Sequence, residues 1–356
     1  MRAARPWLLT GLRCQALGLP VLLQHVPVSH YTKNAPGSLA EVTARSHHPE
    51  ADRYNRAVTL PDGRTLAWAE AGAPSGFPLF FFHGFPGSRL EARGVEDIGR
   101  RYNVRFICPD RPGYGRSTFQ PSRRITDWPA DVQHIARHLE VKRYGVMGGS
   151  GGGPYALACA DAIPADELAS VGLLCSAAPW EAGRQGLPWS ARFGSYAATY
   201  FPSLATSIID FCLKVAQRLA ASKPGEKFLD DLALKAAKTA GKVIPESEMT
   251  VEATAARRER LKAVFLEPFA QGSQGFVHEA YLLCHPYGFS LEKIRYQGKI
   301  HIWHGTADNN SPIRMIRWMS ERLPDCELHE YEGETHFTVM KHLENIIPQM
   351  IPKNWS

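Results

Sequence analysis

Short unbroken apolar runs alternate along this chain with longer stretches whose apolar residues recur every three or four positions. "RAVTLPDGRTLAWAEAG" (Arg56 to Gly72) reads as two strands around the turn residues Pro61, Asp62 and Gly63. "PLFFFHG" (Pro78 to Gly84) and "VRFICPD" (Val104 to Asp110) are continuous apolar runs, as expected of strands buried on both faces. "SRLEARGVEDIGRRYN" between them fits a helix. "TDWPADVQHIARHLEV" opens on Thr126 or Asp127 as a cap and sets Val132, Ile135, Ala136 and Leu139 at helical spacing. Arg143 to Met147, "LASVGLLCSAAPW" and "KIHIWHG" (Lys299 to Gly305) read as further buried strands, and Glu327 to Tyr331 is strand-like. Strands alternating with helices predict an α/β fold, a mostly parallel sheet with helices on both faces.

The alternation breaks once. Between Trp180 and about Gln297 no strong parallel-strand candidate occurs, and Lys223 to Glu267 holds nine Lys or Arg against eight Asp or Glu among apolar residues at helical spacing. A helical insertion fits, its charges forming a solvated face because the signs nearly cancel. The expected organisation is therefore a segment 1–49 outside the fold, a core of 50–180 and 298–356, and an inserted helical cap at 181–297.

Composition narrows the function classes. The chain has 356 residues, 44% hydrophobic and 21% charged, ordinary for a globular protein. Its net charge of +6 includes Arg2, Arg5, Arg13 and Lys33. The remaining body is close to neutral, so no nucleic-acid partner is expected. No transmembrane segment is expected, since no run of about 18 apolar residues occurs. Seven cysteines without a CxxC pair read as reduced thiols rather than a disulfide framework or zinc site, which favours an intracellular compartment. The basic N-terminal segment has no acid before Glu41. It is compatible with a mitochondrial transit peptide, an unstructured tail of a cytoplasmic protein, or a secretory signal, and each reading leaves it outside the fold.

The chemistry concentrates at "GVMGGSGGGPYAL" (Gly145 to Leu157), one serine among six glycines. Glycine loses more conformational entropy on folding than any other residue, so a cluster needs a reason. The flanks are a strand and a small-residue helix rather than polar linker. Gly148-Gly149-Ser150-Gly151-Gly152 fits G-x-S-x-G, a sharp strand-to-helix turn that lifts Ser150 above the sheet as a nucleophile; the plainer alternative is a structural turn. A serine hydroxyl needs an adjacent base. Asp308 follows "KIHIWHG", where it is the candidate orienting acid or else a cap for the helix after Pro312. His336 follows the last strand, as the candidate base or else a surface loop residue. Their order along the chain, each after a strand, favours a triad. Gly84 in "HGFPGSR" lets the backbone turn so that the Phe85 amide faces the elbow. With the Gly151 amide it would form an oxyanion hole.

Taken together, "HGFPGSR", "PDRPGYGRS", "GGSGGGPYAL", "HGTADNNSP" and "GETHF" resemble the α/β-hydrolase superfamily, in family order from about Arg56 to the C-terminus. The resemblance implies the α/β-hydrolase fold with a helical cap after the sixth strand and esterase-like chemistry without a metal or organic cofactor. Epoxide hydrolases and haloalkane dehalogenases carry aspartate at the elbow, where this chain has Ser150. The HGGPG and GxSWG patterns of proline iminopeptidases are absent. "DRPGYGRS" shapes a loop and receives no chemical role. The expected substrate is a small acyl compound with an apolar group, enclosed by cap aromatics drawn from Trp180, Trp189, Tyr196, Tyr200, Phe201, Phe276 and Tyr281. Two alternatives stand beside ester hydrolysis: carbon–carbon cleavage or acyl transfer on the same triad, and a non-catalytic ligand-binding protein that keeps the pocket.

Overall fold

The computed structural model describes residues 53–239 and 250–355, so the N-terminal segment lies outside the described residues. Eight strands form one sheet: β1 (Arg56–Thr59), β2 (Thr65–Gly72), β3 (Phe77–Phe82), β4 (Val104–Pro109), β5 (Tyr144–Gly149), β6 (Leu168–Leu174), β7 (Ile300–Gly305) and β8 (Cys326–Tyr331). Their order is β1-β2-β4-β3-β5-β6-β7-β8. The β1–β2 hairpin and the β2–β4 pair are antiparallel, and all other neighbours are parallel.

Three helices lie within the first half of the core: α1 (Glu96–Arg101), α2 (Trp128–His138) and α3 (Gly153–Ala162). Five more fall between β6 and β7: α4 (Trp189–Tyr200), α5 (Pro202–Ala220), α6 (Lys223–Thr239), α7 (Val251–Leu266) and α8 (Gln274–Cys284). Helices α9 (Ile313–Ser320) and α10 (Leu343–Ile346) complete the chain. The described residues between Trp180 and Gln297 contain no strand, in line with the helical pattern of that stretch.

Both sheet faces are buried, which is why the central strands read as continuous apolar runs. Successive β3 side chains point to opposite faces. Phe80 and Phe82 pack with Trp128, Val132 and Tyr155 on the side of α2 and α3. Leu79 and Phe81 pack with Ile98, Val339 and Ile346 on the side of α1 and the C-terminus. Each such side chain, fully withdrawn from water, contributes roughly 1.5–3 kcal/mol.

Two local expectations shift. The stretch after Ser88 runs as a 3₁₀ segment, Arg89–Val95, before α1 begins. Arg89 is drawn inward there, its backbone N–H donating to Asp110 Oδ1 at 2.6 Å and its guanidinium to Asp110 Oδ2 at 2.9 Å. Asp127 does not cap α2 with its side chain. Its carboxylate instead accepts from the Arg124 N–H at 2.8 Å and closes the 3₁₀ turn before the helix.

The parallel strands end on one edge of the sheet. Loops leaving β3, β5, β7 and β8 there carry His83 to Phe85, Ser150, Asp308 and His336. In open α/β sheets this carboxyl edge is where ligands bind.

Candidate active site

Ser150 sits between β5 and α3 with φ of 49°, a left-handed backbone that side-chain-bearing residues rarely adopt. The glycines around it are explained by close approach. A Cβ on Gly148 would overlap the Gly152 carbonyl, and one on Gly152 would overlap the Phe82 carbonyl of β3. A Cβ on Gly153 would overlap the Ser176 hydroxyl beyond β6. The Ala177 N–H donates to the Ser150 carbonyl at 2.8 Å, which ties the apex of the turn to the end of β6.

His336 bridges the other two polar residues singled out from the sequence. Its Nδ1 lies 2.7 Å from Asp308 Oδ2 and its Nε2 lies 2.9 Å from Ser150 Oγ. An ionised carboxylate only accepts, so Nδ1 carries the hydrogen and Nε2 offers a lone pair to the serine hydroxyl. Asp308 does not cap α9, which starts after Pro312 without a side-chain cap. Oδ1 accepts from the Asn310 and Ser311 N–H groups at 2.8 and 2.9 Å and shapes the loop, while Oδ2 faces His336. Burial alone pushes the Asp308 carboxyl up, but hydrogen bonds from His304 and His336 outweigh it and hold the group well below the usual carboxylate range.

His304 is a member of this site that sequence reasoning passed over as a strand residue. It is fully buried, and its Nε2 lies 2.8 Å from the Ser311 carbonyl and 3.2 Å from Asp308 Oδ2. Both partners are acceptors, so Nε2 carries a hydrogen and supports the same carboxylate oxygen that meets His336, while the loop amides hold the other.

The loop after β3 faces the serine. An ideal Cβ on Gly84 would sit 3.6 Å from Ser150 Cβ, and one on Gly151 would sit 3.3 Å from the Phe85 nitrogen. Phe85 and Gly151 are therefore close neighbours next to Ser150. Gly151 also lies at the opening of the turn into α3, where backbone N–H groups have no helical partner of their own.

A buried polar frame holds this loop. Arg111 donates to the His83 and Gly84 carbonyls at 2.5 and 2.9 Å. His83 accepts from the Arg111 N–H at Nε2 (3.2 Å) and donates from Nδ1 to the Gly84 carbonyl (2.9 Å). Burial, and then the nearby Arg111 charge, push His83 well below its ordinary value, so it stays neutral. Glu91 accepts from the Gly84 N–H at 3.2 Å. Its carboxyl is pushed up to about 7 by burial, against the pull of that amide and of Arg111. Arg111 is paired in turn with Glu279 of α8. Nη2 lies 2.6 Å from Oε1 as an ion pair without hydrogen-bond alignment, and Nε donates to Oε2 at 3.2 Å. Arg123 reaches the same Oε2 at 3.2 Å. All three side chains are at most 2% exposed. "DRPGYGRS" thus supplies more than a loop shape: its second residue holds the backbone beside the serine and binds a helix of the insertion.

Helix α8 approaches the site with one face. Phe276 stacks on Phe85 with centroids 4.7 Å apart and planes 9° apart, and Leu283 lies against Gly151. Phe276 lies three positions before Glu279 and Leu283 four after it, so both share its face of the helix. A cleft of about 450 Å³ lies along other α8 positions, His278, Tyr281 and Leu282, and His285 just past the helix, and includes none of the three triad candidates. Of the aromatics expected to enclose a substrate, Phe276 meets the site. Trp180 packs against the core, and Trp189, Tyr196, Tyr200 and Phe201 are exposed. His301, Glu327 and His329 gather on β7 and β8, where the two rings contact each other at 3.2 Å and Lys299 pairs with Glu327 at 3.3 Å. Six cysteines among the described residues are free thiols; Cys108, Cys159 and Cys175 are buried and Cys212 is exposed.

Comparison with known proteins agrees with this architecture. A family model described as alpha/beta hydrolase fold matches residues 78–343, most of the chain. A proline iminopeptidase from Xanthomonas citri is 35% identical over 126 residues, 33% of this chain and 38% of that protein. Lipase 1 from Psychrobacter immobilis is 30% identical over 160 residues, 42% of this chain and 49% of the lipase. The chain therefore spans less than two thirds of the length of these relatives. Among solved structures, an esterase from Exiguobacterium antarcticum superposes with a TM-score of 0.54 at 17% identity, covering 83% of this chain and 97% of the esterase. A hydrolase from Pseudomonas aeruginosa gives 0.52 at 14% identity, with 83% and 97% coverage. At such identity the likeness is one of fold, which the family match extends along most of the sequence: the chain belongs to the α/β-hydrolase family.

Proposed function

We propose that the protein is a serine hydrolase that cleaves a carboxylic ester or related acyl substrate through an acyl-enzyme. The observation that carries this reading is the unbroken chain Ser150 Oγ–His336 Nε2 at 2.9 Å and His336 Nδ1–Asp308 Oδ2 at 2.7 Å. His336 takes the proton of Ser150 as Oγ bonds to the substrate carbonyl carbon. The carbonyl electron pair moves onto oxygen, which the Phe85 and Gly151 amides receive. Asp308 holds the imidazolium in place. Collapse of the intermediate breaks the bond to the leaving alcohol, which takes the proton from His336. Water repeats the sequence on the acyl-enzyme and releases the acid. The α4–α8 insertion, 181–297, acts as the cap, with Phe276 on the Phe85 loop as its point of contact with an apolar acyl group.

The similarity to proline iminopeptidases favours a second reading, in which the acyl group is the prolyl residue of an amide. The triad chemistry is the same, so the test separates mechanism from substrate. Wild-type protein and Ser150→Ala are treated with a fluorophosphonate probe and assayed on a series of acyl esters and a prolyl anilide. Labelling of the wild type alone, with turnover falling by about three orders of magnitude or more in the variant, is expected. Turnover within about tenfold of wild type removes Ser150 as nucleophile. Faster cleavage of the anilide than of every ester moves the substrate class to amides and keeps the mechanism.

A further inference from the structure

The insertion carries an apolar surface that the described residues leave uncovered. On α4, Trp189, Phe193, Tyr196 and Tyr200 recur every three or four residues and are all exposed, Trp189 to 78%. On α5, Leu204, Ile208, Phe211, Val215 and Leu219 repeat the spacing and are also exposed, Phe211 to 68%. Residues at that spacing share one helix face. The α4 stripe runs on to Phe201 at the start of α5, because the Tyr196 ring lies 4.6 Å from Tyr200 and 6.1 Å from Phe201. Helix α5 has no fully buried residue and turns Ile209 and Leu213 half-inward, so it is apolar on two sides and only one meets protein. A monomer rarely leaves so large a contiguous apolar face in water without a partner for it.

Charge selects the partner. From Trp189 to Phe228 the sequence has five cations, Arg192, Lys214, Arg218, Lys223 and Lys227, and two acids, Asp210 and Glu226. Both acids are engaged within the insertion: Asp210 accepts from the Ser273 N–H at 2.8 Å, and Glu226 pairs with Arg258 at 3.1 Å. All five cations are exposed. Lys214 and Arg218 sit beside the stripe, one helical turn from Phe211 and Val215. Long cationic side chains bordering an apolar, aromatic-rich helix face suit an anionic bilayer, in which the rings enter the headgroup boundary and the cations remain with the phosphates. A second copy of this chain would bring the same cationic border against itself across a two-fold contact. No described helix is long and apolar enough to cross a membrane, so the contact lies along the surface.

We propose that the outer face of α4 and α5 docks on an anionic lipid surface. Full-length protein is sedimented with vesicles of phosphatidylcholine containing about one third phosphatidylserine, and with vesicles of phosphatidylcholine alone, at two salt concentrations. Binding at least tenfold tighter to the anionic vesicles and weakening with salt is expected. Ile208→Glu with Phe211→Glu should lower that binding at least tenfold, and Lys214→Glu with Arg218→Glu should abolish the preference for anionic lipid. Both pairs lie on an exposed surface, and an unchanged circular dichroism spectrum and unchanged turnover of a soluble ester exclude misfolding. The proposal is overturned if vesicles do not bind, or if both variants bind as wild type, which would place the binding elsewhere, as in the basic N-terminal segment. It is equally overturned if the protein is a dimer at micromolar concentration and Ile208→Glu with Phe211→Glu makes it monomeric, since the face is then covered by a second copy.

Discussion

Glu279→Gln tests whether the insertion is bolted to the core through charge. The substitution keeps volume and an acceptor oxygen, so it leaves no cavity and isolates the charge. Glu279 serves both Arg111 and Arg123, and none of the three is more than 2% exposed. The cluster goes from a formal +1 to +2 with no water to screen it. Removing one partner of a buried pair costs about 3–5 kcal/mol, because it strands the other charge. One carboxylate here answers two guanidiniums, which places the expected loss near the upper end, about 5 kcal/mol. Arg123 keeps its 2.7 Å bond to the Tyr155 hydroxyl, and Arg111 its bonds to the His83 and Gly84 carbonyls, so the loss stays within that range. Against a typical total of about 5–15 kcal/mol this is a large fraction of the stability.

The assay is urea unfolding followed by tryptophan fluorescence, with the loss read from the midpoint at unchanged slope. Glu226→Gln is the control, since its pair with Arg258 has side chains 40% and 16% exposed and is worth under about 1 kcal/mol. A Glu279→Gln loss below about 1 kcal/mol, equal to the control, would refute the reasoning and mean that water reaches the cluster. Activity gives a second readout. Arg111 holds the backbone beside Ser150, so an unpaired Arg111 should lower kcat about tenfold while changing KM less.

The remaining predictions concern the same frame. Arg111→Lys replaces a fork that serves two carbonyls and a carboxylate by a single ammonium, and should reduce kcat tenfold to a hundredfold with the serine still reactive to fluorophosphonate; wild-type kcat would remove Arg111 as the positioning residue. Asp308→Asn should reduce kcat about 10⁴-fold, because an amide donor favours the wrong His336 tautomer; pre-steady-state and steady-state rates of one ester check it, and a loss below tenfold would sink the acid assignment. Glu91 has a folded pKa of about 7 against an ordinary 4.5, so its contribution to stability is full below about 4.5 and lost as pH rises through about 7. Glu91→Gln should flatten that decline, measured as the difference in unfolding free energy between pH 5 and pH 8, and an unchanged decline would show that the group is solvated.

The triad candidates were legible because each signal is local. Ser150 is announced by its own neighbours, since the close approach of Phe82, Gly152 and Ser176 admits nothing larger than glycine around the turn. Asp308 and His336 each follow a strand whose apolar run is visible, and chain order did the rest. The sheet was legible for a related reason: burial on both faces leaves no polar position to blur β3 or the centre of β5. Where local signals competed, the reading moved. The stretch after Ser88 opens as a 3₁₀ segment because Arg89 is drawn to Asp110, and Asp127, offered as a helix cap, closes a 3₁₀ turn instead because Arg124 lies within reach.

Arg111 and Glu279 were illegible for the opposite reason, which is distance along the chain. A charged residue in isolation reads as exposed, since Arg and Glu are almost never fully buried unless paired. The partner that buries Arg111 lies 168 residues away, within the insertion, and no spacing rule connects them. Glu279 within "GFVHEAYLL" is nevertheless an acid in an apolar helical run, the pattern that a buried partnered charge leaves behind. The same logic explains why the aromatics of α4 read as a substrate lining. Apolar residues at helical spacing show which face avoids water, but not what covers it. The charges decide that here. The face toward the site carries Glu279 against two buried guanidiniums, a match found within the chain. The outer face carries exposed cations and no free acid among the described residues, so its complement is an anionic surface outside the chain.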